Sequence, residues 1–481
     1  MDTGFTLKSK NILLLLVLAV LVLFSTYVII MLGADNGALV AGVLIAGAVG
    51  VYSLVNYEFG FYVSIVLGFI IFFVARLTND AIPTALIVDL QINASFVGLI
   101  IHKVVHREAF FKNAGHTITY AYILYTIFLF GQLFNPNMHS ADGWILVFRK
   151  FLQFMMVYFI ALNIFRTYQK IRFFFIFWAG CALFAGAYGC YQEWFGFFDF
   201  ETNWIWAVPG RAGLYQLDGG GFRKFSTLSG PAAYGIIMGC SSLLLGIFTL
   251  KQKHFQKKML LLVATVFVIL GMGYAGTRTA YFIFSAGAVL YMLMTITNKS
   301  TLITASFFLM GFAVIMWGPI YGNATINRIR TTFDADDSSL EVRDVNRAKI
   351  QPYIYSHPVG GGVATSGIQG EQYNPTHELA GFPPDSGFIK TAVETGWIGF
   401  SFQCTLYCLI LLSGVRVFYR YENKTSRLYS LAAVVTIFSF VISQYGQVSI
   451  GQIPDFFLFY SLLAVIVSLK HINEQQTKEL K

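Results

Sequence analysis

Apolar residues in this chain neither alternate with the two-residue period of a half-buried strand nor keep to one stripe of a helix. They come in continuous runs, most of them near the roughly 20 residues with which an α-helix crosses a hydrocarbon layer of about 30 Å. Such runs lie near 11–32, 37–55, 59–77, 85–105, 116–134, 145–165 and 173–194, and again near 231–250, 259–276, 280–297, 301–320, 397–415, 428–447 and 456–469. Backbone groups in lipid have no water to bond, so segments of this kind must close their hydrogen bonds internally, as helices. The pattern predicts an all-α, polytopic membrane protein of about 12–14 spans, a single integral unit over residues 1–481. The run from Asn11 to Leu32 follows Lys8 and Lys10 in the manner of a signal peptide. It is too long for one and has no small-residue cleavage site before Gly33, so it reads as a spanning helix.

Hydrophobic residues make up 56% of the 481 and charged ones 12%, about half the charged share of a soluble domain, with a mean hydropathy of +0.64. Soluble and secreted classes are excluded. Cys181, Cys190, Cys240, Cys404 and Cys408 all fall inside apolar runs and read as buried thiols rather than bridges or metal ligands. The net charge of +9 would suit a nucleic-acid reader, but its distribution does not. With the N-terminus in the cytoplasm, 20 of the 33 Lys and Arg but only 6 of the 24 Asp and Glu fall on the cytoplasmic side, which leaves +14 there and −5 for everything else. The positive-inside rule then sets both termini in the cytoplasm, and the charge reports orientation with no nucleic-acid partner.

Two connections on the opposite side exceed the roughly fifteen residues beyond which a loop usually carries function: 196–230, and 322–396 with short helices of its own. In the first, Arg211, Arg223 and Lys224 stand among glycines that expose backbone N–H groups, a setting for a phosphate or for lipid headgroups. Pro231 can open the next helix, with Ser229 as its cap. A tight turn, Gly276-Thr-Arg-Thr279, places Arg278 at the outer boundary, as a snorkelling anchor or a ligand.

In the second loop, Ser338-Ser-Leu-Glu341 resembles a capping box and predicts a helix of about three turns running towards Tyr355. Arg343 and Arg347, four residues apart, project from one face of it. They can grip a pyrophosphate together, or pair with Glu341 and Asp344 on a solvated face. His357-Pro-Val-Gly-Gly-Gly362 allows a sharp return of the chain, and Pro383-Pro384 sets up a helix from Asp385 through Glu394. Asp385 stands where a general base or an N-cap would. Glu394, where that helix meets the next span, calls for a partner such as Lys390. Asp89, Arg149 and Lys150 lie at apparent membrane depth. They extend the anion site or, on the reading favoured from the sequence, stay at the interface because the span begins after Lys150.

In order, spacing and common location, several of these motifs resemble the O-antigen ligase and O-antigen polymerase superfamily, of WaaL and Wzy types. They are Arg223-Lys-Phe-Ser-Thr-Leu-Ser-Gly-Pro231, Gly276-Thr-Arg-Thr-Ala280, Arg343, His357-Pro-Val-Gly-Gly-Gly362 and Asp385-Ser-Gly-Phe-Ile-Lys-Thr-Ala-Val-Glu-Thr-Gly396, within roughly residues 200–400. The resemblance implies an all-helical fold of the GT-C kind that transfers glycans from undecaprenyl pyrophosphate at the periplasmic face of the bacterial inner membrane. It implies no nucleotide sugar, no required metal and no other cofactor. Arg278 and Arg343 take the family's arginine positions for gripping the donor pyrophosphate, with Arg223 as a third.

Ligases of the superfamily show His-Asn where this chain has Asp385-Ser386, nine residues before Glu394. With that histidine absent, Asp385 or His377 is left to act as base, with Glu394 as a further catalytic candidate, and the resemblance tilts towards a polymerase. That enzyme would join lipid-linked repeat units into O-antigen or another surface polysaccharide by inverting transfer. Its expected partners are the lipid-linked donor, a glycan acceptor, membrane lipids and a chain-length regulator. The alternatives are a ligase using lipid A core, a protein oligosaccharyltransferase, or a transporter of lipid-linked glycan. The last would call for midplane charge pairs and a clear repeat of spans, and the sequence has no clear repeat.

Overall fold

The structure, a computed structural model, describes residues 26–27, 30, 34–81, 83–111, 114–217, 220–319, 322–332 and 338–479. The first half of the bundle comprises α1 (Ala34–Val55), α2 (Tyr57–Leu77), α3 (Thr84–Val105), α4 (Thr117–Gly131), α5 (Ala141–Ile164) and α6 (Tyr168–Trp194). Two short helices follow, α7 (Asp199–Trp206) and α8 (Arg211–Tyr215), then α9 (Pro231–Lys251), α10 (Phe255–Tyr274), α11 (Arg278–Met294) and α12 (Lys299–Trp317). A second group of loop helices, α13 (Ala324–Thr331), α14 (Ser338–Ser356) and α15 (Gly367–Tyr373), precedes α16 (Gly387–Arg420), α17 (Lys424–Ser443) and α18 (Asp455–Glu479). Among the described residues, 10 helices are long and apolar enough to cross a membrane, and Gly42–Val55, Arg278–Met294 and Thr301–Trp317 are shorter apolar helices. Together they account for every expected run except 11–32, which lies outside the described residues apart from Thr26, Tyr27 and Ile30. The all-α polytopic class holds.

The buried centre is formed by α9 and α18, whose most apolar windows are 83% and 89% buried, with α17 beside them. Lipid is as apolar as leucine, so these helices are held by close packing and polar contacts rather than by hydrophobic exclusion. Tyr234 of α9 is inserted between Gly189 of α6 and Gly271 of α10, where an added Cβ would lie 1.9 and 2.3 Å from its hydroxyl. Polar links cross the same core. Trp178 Nε1 donates to Ser241 Oγ at 3.0 Å, Ser430 Oγ to the Gly414 carbonyl at 2.7 Å, and Ser439 Oγ to the Ile283 carbonyl at 3.1 Å. Leu260, Phe307 and Leu309 stay exposed on outer helices, as a lipid-facing surface requires.

Alternate connections meet at opposite ends of the bundle. At one end, Lys170 pairs with Glu58 at 2.6 Å, and Glu108 accepts from both Arg166 and Lys103 at 2.9 Å. Those two hydrogen bonds hold the Glu108 carboxyl down at about 2. At the other end the two long loops join the turns at 78–83, 135–140, 275–277 and 444–454. Arg211 pairs with Asp80, Asn135 Nδ2 donates to the Val359 carbonyl at 2.9 Å, and Ser386 Oγ donates to the Gln444 carbonyl at 2.7 Å.

Several local expectations are corrected here. Pro231 does open α9, but the cap is Gly230, not Ser229. Helix α14 is 19 residues long with Pro352 inside, five turns rather than three, and its capping-box side chains at 338–341 lie outside the described residues. Helix α5 begins at Ala141, so Arg149 and Lys150 sit about two turns inside it and the span does not start after them. Gly396, with φ 68°, divides α16 into the expected short helix and the following span. The cap of that short helix is Ser386, whose hydroxyl accepts from the Ile389 N–H at 3.4 Å, so Asp385 is released from a capping role. Helix α17 ends at Ser443, leaving Gln444 to Gln447, expected within a span, in a turn at the loop-bearing end.

Candidate functional site

The first long loop is a folded cap with its own small core of Trp204, Ile205, Ala212, Tyr215 and Phe225. Gly220 and Gly221, at φ 88° and 85°, turn the chain back so that the Arg223 N–H donates to the Tyr215 carbonyl at 2.7 Å. Arg76, at the end of α2 and 2% exposed, donates to the Leu228 and Ser226 carbonyls at 2.6 and 2.7 Å and fixes the loop to the bundle. Beneath it, Glu201 is fully buried and accepts from Gln192 at 2.8 Å and Tyr188 at 3.1 Å; burial raises its carboxyl. Arg211 belongs to this framework. It stacks on Trp204 at 4.0 Å, donates to the Trp204 carbonyl at 2.8 Å and meets Asp80 at 3.3 Å.

Arg223 reaches the turn between α10 and α11. Its Nε donates to the Ala275 carbonyl at 3.1 Å and its Nη2 to Thr277 Oγ1 at 2.8 Å. Burial, followed by the positive charges of Arg328 and Arg278, lowers its pKa, and Arg223 and Arg328 both bond the turn that leads into Arg278. Arg328, on α13, donates from Nε to the Gly276 carbonyl at 3.4 Å. The same turn stands at the head of an apolar groove of about 390 Å³ between α10, α11, α12 and α13. Leu270, Phe284, Phe308, Phe312 and Ile315 line it, while Thr325 and Ile329, on either side of Arg328, close its upper end.

Arg343 approaches the turn from α14. A methyl group added at Gly446 would meet Thr279 Oγ1 at 3.0 Å and Arg343 Nη1 at 3.8 Å, so Arg343 lies across Gly446 from the residue next to Arg278. Arg343, Arg347, Asp385 and Ser386 line one small pocket, which bears out a shared face for the two arginines of α14. Arg347 is engaged within it: Nη1 donates to the Tyr445 hydroxyl at 2.6 Å and meets Asp344 at 3.1 Å, with the guanidinium 4.2 Å from the Tyr445 ring centroid.

His377 and Glu394 do not line that pocket. Gly360, at φ 73°, brings the His357–Gly362 segment against the kink of α16, where an added Cβ would fall 2.4 Å from the Gly396 nitrogen. Beside it, His377 is 5.2 Å from the His139 ring, and its Nδ1 accepts from the Leu379 N–H at 3.0 Å. Burial, then the neighbouring His139, lowers its pKa. The Glu394 carboxylate is buried and accepts from Ser366 Oγ at 2.5 Å; Lys390, the expected partner, donates instead to Gln369 Oε1 at 3.0 Å. Among the described residues no three His, Cys, Asp or Glu side chains converge as a metal site would require.

Sequence reasoning missed Arg328, Ser366, Gln369 and the 444–454 turn. For the turn a signal existed, since Gln444, Gly446, Gln447, Gly451, Gln452 and Pro454 interrupt an otherwise apolar region. For Arg328 the signal was weak, one of two arginines on a short amphipathic helix whose partner Arg330 donates to the Ile315 carbonyl at 2.7 Å. No curated protein matches the chain. Residues 260–404 match a family model, Wzy_C, described as O-antigen ligase; this stretch runs from α10 into α16 and carries Arg278, Arg328, Arg343, Arg347, His377, Asp385 and Glu394, while Arg211 and Arg223 precede it. Over residues 260–404, the stretch that holds Arg278, the apolar groove and the kinked helix, this multi-pass membrane protein is similar to the family described as O-antigen ligase.

Proposed function

We propose that the protein is a membrane glycosyltransferase that polymerises lipid-linked oligosaccharide repeat units at the periplasmic face of the bacterial inner membrane. The observation that carries this reading is the placement of Arg223 and Arg328 on the turn that leads into Arg278, beside an apolar groove, with Arg343 across Gly446 from Thr279. A diphosphate on an isoprenoid tail has the matching distribution of chemistry, two anionic groups joined to a long hydrocarbon. Undecaprenyl pyrophosphate is the carrier that the superfamily uses.

The transfer is a displacement with inversion. An acceptor hydroxyl oxygen attacks the anomeric carbon, the bond from that carbon to the pyrophosphate oxygen breaks, and undecaprenyl pyrophosphate departs with the electron pair. Asp385, on the wall of the pocket that Arg343 and Arg347 line, receives the hydroxyl proton. His377 sits in a different corner, with Nδ1 already accepting from Leu379. Guanidiniums held in place before the reaction stabilise the charge that develops on the leaving group without reorganising during the step.

The test is reconstitution of purified protein with a lipid-linked repeat unit alone. A ladder of product lengths is expected, and its loss in Arg278→Ala and Arg343→Ala at normal expression; polymer formed by both variants sinks the assignment. A ligase is the second reading, favoured by the description of the matched family. It predicts no product until lipid A core is added.

A further inference from the structure

We propose that the cavity enclosed by α4, α5, α16, α18 and the 444–454 turn binds an anionic sugar, of which a hexuronate is the simplest, with its carboxylate between Lys150 and Lys390. This deepens the glycosyltransferase reading and rests on it for the identity of that sugar as part of the acceptor. The cavity measures about 320 Å³, and a second of about 360 Å³ adjoins it, sharing Lys150, Phe154, Gly451 and Gln452. The walls of the first combine aromatic rings, among them Tyr125, Tyr407 and Tyr460, with the amides of Gln369 and Gln403. Rings that cover the apolar face of a pyranose and amides that bond its hydroxyls make a chemically suitable lining.

The charges decide what kind of sugar fits. Lys150, Lys390 and Arg149 face the paired cavities against two carboxylates, Asp89 and Glu394. Both carboxylates are engaged, Asp89 with Arg149 at 3.4 Å and Glu394 with Ser366 at 2.5 Å. Lys390 has only the neutral Gln369 amide at 3.0 Å, and among the described residues no carboxylate stands within ion-pair distance of Lys390 or Lys150. Two ammonium groups facing one cavity in a membrane-embedded bundle repel each other, and a bound anion offsets that repulsion. Lysine suits a single carboxylate, whereas the paired oxygens of a diphosphate suit the arginines at the other site.

The cavity is continuous with the proposed reaction centre through the chain itself. The 444–454 turn presents Tyr445 and Gly446 to Arg347 and Arg343, and Val448, Ile450, Gly451 and Gln452 line the cavity. Ser229, on the wall of the second cavity, is two residues from Pro231, whose carbonyl accepts from Thr277 Oγ1 at 2.8 Å in the arginine turn.

The test titrates full-length protein in lipid nanodiscs, at low salt, with trigalacturonic acid and with its methyl ester. The acid is expected to bind about tenfold more tightly, the equivalent of one charge-assisted hydrogen bond. Lys150→Gln and Lys390→Gln should each remove most of that preference, and Lys150→Arg and Lys390→Arg should keep it. Unchanged binding of the neutral ester reports that the variants remain folded. Equal binding of acid and ester by the wild-type protein overturns the proposal, as does a preference that survives in the double glutamine variant. No turnover enters this measurement, so its failure leaves the dependence of polymer formation on Arg278 and Arg343 as a separate result, and loss of that dependence leaves the acid preference standing.

Discussion

In the first long loop the Arg211 guanidinium lies on an indole, bonds a carbonyl and meets a carboxylate, so its charge is neutralised within the protein. In the second, Arg343 makes no hydrogen bond or ion pair among the described residues and lines a pocket beside Asp385. Both stand at the same end of the bundle, and both answered the same sequence criterion of a basic residue on the outer side. What separates them is the set of neighbours that the fold supplies. A guanidinium with a complete local partner set is a tie, whereas one facing a gap next to other guanidiniums stores repulsion that an anionic ligand relieves. Arg223 lies between these cases, bonded to a turn to which a second guanidinium, that of Arg328, also donates.

The widest separation is expected in turnover. Arg343→Ala or Arg278→Ala should lower the rate of glycan transfer about a thousandfold, the scale for removing a preorganised donor to a developing anion. Arg343→Lys should recover only part of it, because an ammonium cannot reproduce two parallel N–H donors. Single-turnover assays on purified protein measure this directly. Activity in Arg343→Ala within tenfold of wild type would erase the distinction drawn between the loops.

Next in size is a change in architecture rather than chemistry. Gly396→Ala forces a side chain onto φ 68° and sets its Cβ 2.0 Å from the Pro358 carbonyl oxygen. A strained backbone with such a clash costs about 3 kcal/mol, seen as a lower Tm and reduced yield in detergent. Arg211→Ala should be milder, about 1 kcal/mol, since its side chain is 20% exposed and its partner Asp80 is 50% exposed. Its rate per folded molecule should fall far less than that of Arg343→Ala. If Arg211→Ala instead abolishes turnover at an unchanged Tm, Arg211 acts in the reaction centre and not as a tie.

The spans were legible because continuous apolar runs have one physical solution in lipid, and the break at Glu394-Thr-Gly396 was legible because proline and glycine bracket a short polar helix. The alignment of Arg343 with Arg347 followed from helical spacing alone. Partner choice was not legible. Lys390 is one turn from Glu394, yet the structure brings Ser366, 28 residues away, to the carboxylate and Gln369 to the ammonium. Capping was misjudged in the same way: Asp385 and Ser386 are both good caps, and only the backbone angle at Ser386 decides between them. Helix ends at membrane depth were also uncertain, since hydropathy averages across a charged pair such as Asp89 and Arg149 that the bundle neutralises internally.

The smallest effect concerns acid stability and sets the second loop against the opposite end of the bundle. His377 Nδ1 accepts from the Leu379 N–H, and His116 Nδ1 accepts from the Ile118 N–H at 3.1 Å as the cap of α4. A proton on either nitrogen removes the acceptor and buries a cation. Burial lowers both pKa values, that of His116 to about 4. The folded state therefore binds fewer protons than the unfolded chain, whose histidines titrate near 6.5, so stability is complete above about pH 6.5 and declines as pH falls through the folded values. Asparagine at 377 keeps an acceptor near the position of Nδ1 but does not titrate, so His377→Asn should flatten the fall of Tm between pH 7 and pH 5. The remaining decline, set by His116, should continue towards about pH 4. An unchanged slope in His377→Asn would mean that the second loop contributes nothing to acid sensitivity and that the entire response lies at the far end of the bundle.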